Sequence, residues 1–150
     1  MYTHILVPLD GTPRAERILP WLRPILLESR GVFRLLVVLR PGETVTDGKR
    51  VVAYAHQLDD AARADAAAYL RRLAAPLLAD GIPVAVEVRF GYPVQTILAT
   101  VAECGADLLA LAAPWNGRWG AWGATGSVAR LLRRAPVPVL MARRGGQRAA

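Results

Sequence analysis

The residues with the clearest chemical promise form one run, Asn116–Ser127, which reads N-G-R-W-G-A-W-G-A-T-G-S. Gly117, Gly120, Gly123 and Gly126 recur at every third position, and hydroxyls stand at Thr125 and Ser127. Where a strand gives way to a helix, glycines let backbone N–H groups close on a phosphate, and the positive end of the helix dipole favours its charge. The run is therefore a candidate nucleotide-phosphate site, with Gly117, Gly120, Thr125, Gly126 and Ser127 as contacts. Its plainer reading is a flexible loop without a ligand. Trp115, Trp119 and Trp122 crowd the same stretch. Three indoles beside four glycines do not all fit inside a small loop, so they read as a cover for an adenine ring or as a dimer patch. Arg118 reads equally as a phosphate contact or a solvated side chain.

Asp10 is the best single polar candidate. It ends the apolar run His4–Leu9, where it can accept from a ribose hydroxyl. The plainer reading makes it a turn former and helix cap. Catalytic machinery is thin by comparison. His4 and His56 lie in no metal-ligand spacing, and G-x-S-x-G, the P-loop and a Rossmann fingerprint after the first strand are all missing. A single cysteine, Cys104, excludes an internal disulfide and reads as core or half-buried filler. The residues point to binding rather than catalysis.

These groups need a scaffold, and the chain is long enough for one. Its 150 residues, 53% hydrophobic and 21% charged, suit one globular domain with a substantial core. Apolar stretches are too short and too interrupted to span a bilayer, and the N-terminus lacks an export signal. Charge is unevenly placed: positions 108–150 carry seven arginines and no acid, which accounts for the whole net charge of +7. Such a concentration suits phosphorylated ligands, polyanions or anionic surfaces, or else a solvated helix face with a basic tail. Nucleic-acid binding would need the arginines to share a stripe, and it is not expected.

Hydrophobic patterning supplies the elements. His4–Leu9 and the run Phe33–Leu39 read as buried strands. Between them, Ile18, Leu22, Ile25 and Leu26 recur at helical spacing, with Pro20 and Pro24 predicting a kink or late start and Gly31 closing the helix. Arg40–Arg50 reads as a loop. A long helix over Ala53–Leu78 follows, its inner face marked by Leu58, Ala62, Ala66, Tyr69, Leu73 and Leu77. Alternation around Val84, Val86 and Val88 predicts an edge or half-exposed strand. Gly91-Tyr92-Pro93 turns into a helix with Val94, Ile97, Leu98 and Val101 inward; Leu108–Ala113 and Val137–Ala142 complete five strands, and Pro136 and Pro138 point to an edge for the last. The alternation of strands and helices predicts an α/β fold: a single doubly wound three-layer domain around a five-stranded, mostly parallel sheet. Such sheets bind ligands beyond the carboxyl ends of their strands, where Pro8–Thr12 and the glycine run both belong.

On these residues the chain resembles the universal stress protein family. Ile5–Thr12 (I-L-V-P-L-D-G-T) is similar to that family's first strand and aspartate, and Gly91-Tyr92-Pro93 to its glycine–x–proline turn. Asp107-Leu108-Leu109, the glycine loop and Ala135–Leu140 (A-P-V-P-V-L) are similar to its carboxyl-terminal half. The resemblance implies an adenine nucleotide alpha hydrolase-like domain over 1–142, with 143–150 as a basic tail. It implies a cytoplasmic stress-response protein that forms a homodimer through the last strand. A subset of the family binds ATP, with Mg2+, through the aspartate and a G-x2-G-x9-G-[ST] loop. Carried over, Pro8 and Asp10 fall at the end of the first strand, Val38 near the adenine, and Gly117, Gly120, Thr125, Gly126 and Ser127 at the phosphates. The loop departs from the pattern, because five residues rather than nine separate Gly120 from Gly126. A gapless match from Asp107 to Ala135 instead sets Trp115 at a glycine position and Thr125-Gly126 where Gly-Ser is expected, and a side chain of that size would crowd a phosphate. ATP in a shifted register, another ligand and no ligand all stay open. The alternative to a nucleotide-binding regulator is a nucleotide-free dimeric interaction module that uses the Trp/Gly loop as its contact surface.

Overall fold

The computed structural model describes residues 1–41, 48–112 and 126–142. The chain runs β1 (His4–Leu9), α1 (Pro13–Glu16), α2 (Leu19–Ser29), β2 (Val32–Leu39), α3 (Gly48–Ala79), β3 (Val84–Phe90), α4 (Pro93–Cys104), β4 (Leu108–Ala112), α5 (Ser127–Arg134) and β5 (Val139–Ala142). The five strands form one sheet in the order β3-β2-β1-β4-β5, and every neighbouring pair is parallel. The expected doubly wound α/β architecture is thus observed, with a sheet that is parallel throughout. Strand order reverses between β1 and β4. Right-handed crossovers then set α1, α2 and α3 on one face and α4 and α5 on the other. The Arg23–Asp80 ion pair at 2.6 Å ties α2 to the end of α3.

Burial follows position in the sheet. The central strands β1 and β4 are buried from Ile5 to Leu9 and throughout Leu108–Ala112. Leu6, Leu35, Leu36, Leu109 and Leu111 are each 0% exposed, and burying a side chain of that size contributes about 1.5–3 kcal/mol. Both edge strands are only half-buried: β3 has one exposed residue, and every residue of β5 is intermediate. The edge positions expected for the Val84 strand and for the proline-flanked last strand are both observed.

Several local expectations shift. The predicted kink is a full break, since α1 stops at Glu16 and α2 starts at Leu19. Pro20 has no N–H to offer the Glu16 carbonyl, so the helix cannot run through. The terminator of α2 is Arg30 rather than Gly31: Arg30 takes the left-handed conformation at φ 55° and returns its N–H to Leu26. Gly31 serves close packing instead, because a Cβ there would lie 2.7 Å from the Thr3 carbonyl oxygen and 2.8 Å from Leu26. The helix α3 starts five residues before Ala53, at Gly48. Its buried stripe is Ala66, Tyr69, Leu70, Ala74 and Leu77, whereas Leu58 is 53% exposed.

Candidate functional site

The switch point lies between β1 and β4, and the first strand delivers Asp10 to it. β1 pairs with β4 through Ile5–Leu108 and Leu6–Leu109, and with β2 as far as Leu9–Val37. One step beyond that register brings Asp10 level with Val38. In parallel sheets the crevice at such a reversal is where ligands bind, because the flanking loops leave in opposite directions.

Asp10 is fully buried. Its Oδ1 accepts from the Thr12 N–H at 3.0 Å and the Thr12 hydroxyl at 2.6 Å. Thr12 in turn caps α1 by accepting from Ala15. The turn-and-cap reading of Asp10 is therefore correct for one oxygen. The other is different: Oδ2 is buried and has no hydrogen-bond partner among the described residues. An unmatched buried acceptor costs about 1–3 kcal/mol, so its persistence calls for a compensating donor from elsewhere.

Close by lies a group that sequence reasoning had assigned only to the core. Tyr69, on α3, donates its hydroxyl to Glu16 Oε1 at 2.8 Å, and the Asp10 carboxylate lies close enough to influence its ionisation. Burial, then the Glu16 carboxylate, raises the Tyr69 phenol above its ordinary range, so it stays protonated and remains a donor. A tyrosine in an alanine-rich helix stripe carries no local mark of this role; only the pairing across the fold reveals it.

The other predicted residues divide into two groups. Pro8 lies in β1 opposite Leu36, and Val38 is 1% exposed in β2. Gly126 forms the N-cap of α5 at φ 70°, a left-handed conformation that disfavours other residues, and Ser127 opens the helix. Among the described residues no side chain caps that end, so the N–H groups of the first turn lack intrahelical acceptors. Gly117, Gly120 and Thr125 lie outside the described residues, as do Trp115, Trp119, Trp122 and Arg118. Among the described residues no group of His, Cys, Asp and Glu is disposed to hold a metal ion, and no helix is long and apolar enough to cross a membrane.

The opposite rim holds the second carboxylate of interest. Asp107 precedes β4 and binds the start of β1. Its Oδ2 accepts from the Thr3 N–H and hydroxyl, both at 2.9 Å, and its Oδ1 from the His4 N–H at 3.0 Å. Desolvation pulls its pKa upward, but these hydrogen bonds outweigh it and hold the carboxyl below its usual range.

Comparison with known proteins agrees with this architecture. The family model described as the universal stress protein family matches residues 1–143. The universal stress protein UspA from Lactobacillus plantarum superposes with a TM-score of 0.77 at 20% identity, covering 95% of this chain and 98% of its own. A universal stress protein in complex with cAMP gives 0.63 at 21% identity, covering 95% and 97%. A family protein from Arabidopsis thaliana with AMP bound gives 0.63 at 15% identity, covering 96% and 93%. No curated protein matches the sequence closely enough to count as a relative.

Proposed function

This chain belongs to the universal stress protein family, and from its strand-end geometry we propose that it is a stress-response regulator that binds an adenine nucleotide. The observation that carries this reading is the unpartnered, buried Asp10 Oδ2 at the point where strand order reverses. A ribose hydroxyl supplies the missing donor, and the uncapped first turn of α5, entered through Gly126, receives the phosphates. That two structural neighbours hold cAMP and AMP supports an adenine nucleotide as the class. We take the ligand to be ATP, its Mg2+ carried mainly by the phosphates and water, as is usual for that ion. Gly117, Gly120, Thr125 and Ser127 complete the proposed phosphate contacts, with Pro8 and Val38 beside the base and sugar. Because Asp10 is fully buried, neighbouring side chains must move aside for the nucleotide, so association is slower than a preformed cleft would allow.

The same reading includes a homodimer. β5 is a four-residue, half-buried edge, and a second copy would satisfy its open backbone groups. It also treats 1–142 as the nucleotide-binding unit, 143–150 as a basic tail, and the cytoplasm as its location.

Calorimetric titration with ATP, AMP and cAMP tests the proposal. Saturable binding is expected, weakened about tenfold to a hundredfold by Asp10→Ala and lost in Gly126→Val. A wild-type chain that binds none of the three sinks it. The nucleotide-free interaction module would then remain, and Trp119→Ala should alter assembly.

A further inference from the structure

We propose that the cleft between the first turn of α4 and one face of α5 binds a small molecule with more than one phosphate, separately from the strand-end site. The cleft encloses about 450 Å3 and is lined by Val94, Gln95, Arg130, Arg133 and Arg134. Its volume falls within the range of about 300–1,000 Å3 typical of small-molecule sites. Among the described residues neither Asp10 nor any other carboxylate lines it.

The arginines themselves carry the argument. They stand at i, i+3 and i+4 on α5, so they share one helix face. All three are exposed, and none has an ion-pair partner among the described residues. Some other arginines of this chain are matched, Arg23 with Asp80, Arg34 and Arg89 with Glu87, Arg63 over the Phe90 ring and Arg72 over the Tyr69 ring; what sets the three on α5 apart is that they line one cleft together. The helix dipole accounts for Arg133 and Arg134, which lie in the last turn of α5. It does not account for Arg130, nearer the positive end. Facing them, α4 starts at Pro93 with no side-chain cap, so the N–H groups of Val94 and Gln95 lack intrahelical acceptors at the positive end of a second dipole. Three planar guanidinium forks lining one cleft suit bidentate pairing with phosphoryl oxygens. A single phosphate would leave part of that charge unneutralised, and a diphosphate or bisphosphate would not.

The test is calorimetric titration of inorganic pyrophosphate into the full chain saturated with AMP, which carries a single phosphate. Saturable binding is expected, weakened about tenfold or more by Arg130→Gln or Arg133→Gln and weaker as salt rises. The substituted side chains are exposed, and an unchanged Tm verifies that the variants fold. Vesicles of phosphatidylcholine with phosphatidylglycerol separate the two sources of phosphate: binding to vesicles without binding to pyrophosphate overturns the small-molecule assignment. Absence of pyrophosphate binding, its survival in the variant with all three arginines replaced by glutamine, or its displacement by AMP in the wild type also overturns the proposal. Should AMP fail to bind at all, only the strand-end reading falls, because the arginine variants still decide this one.

Discussion

Two aspartates flank the first strand, and they are used in opposite ways. Asp107, at the amino rim, spends both oxygens on the Thr3 and His4 backbone and the Thr3 hydroxyl. Asp10, at the carboxyl rim, commits one oxygen to Thr12 and leaves the other buried and unmatched among the described residues. A carboxylate kept for stability saturates its acceptors within the chain. On the proposed reading Asp10 holds its second acceptor in reserve for a ligand, and the fold bears the cost. Gly31, also at the amino rim, has no room for a Cβ, which would lie 2.7 Å from the Thr3 carbonyl oxygen.

The largest stability effect should come from the crowding at Gly31. Gly31→Ala drives a methyl against the Thr3 carbonyl and should cost about 1–3 kcal/mol, measured by urea unfolding; an unchanged midpoint would show that this rim yields easily. Next comes the matched pair of amides. Asp107→Asn should cost about 1–2 kcal/mol at neutral pH, whereas Asp10→Asn, which discharges a buried carboxylate, should be neutral or stabilising. Equal losses at both positions would erase the contrast between the rims.

The pH dependence sharpens it further. The Asp107 pKa is depressed in the folded state, so its contribution is complete above the ordinary carboxylate value of about 3.9. It disappears as pH falls through the depressed value. The gap between wild type and Asp107→Asn should close in acid, and a gap independent of pH would rule out this linkage. The smallest effect concerns Tyr69, whose pKa is raised. Its contribution is present below the ordinary phenol value of about 10 and is lost as pH rises beyond it. Tyr69→Phe should cost about 1 kcal/mol near neutrality and flatten the alkaline decline in Tm; a decline of equal steepness would show that the Glu16 bond carries no linkage.

Much of this fold can be read along the chain, and so can half of the candidate site. Asp10 ends an apolar run before a glycine, which marks it as a strand-end acid by local pattern alone. Tyr69 cannot be recognised in that way: 53 residues separate it from Glu16, its hydrogen-bond partner. Nor can Asp107, which looks like the mere opening of a strand until the pairing of β1 with β4 brings Thr3 to it. Gly31 was misjudged as a helix terminator for a related reason, since its steric need arises from Thr3, which is distant in sequence.

By itself the sequence determined which segments become strand or helix, which strands are buried, and where the excess positive charge resides. Those properties depend on side-chain periodicity and composition within a few turns of chain. Only the tertiary structure decided the strand order, the reserve acceptor on Asp10, its proximity to Tyr69, and the turning of three arginines towards the start of α4. Each of these depends on which surfaces pack together across the sheet, and packing couples residues that no local period connects.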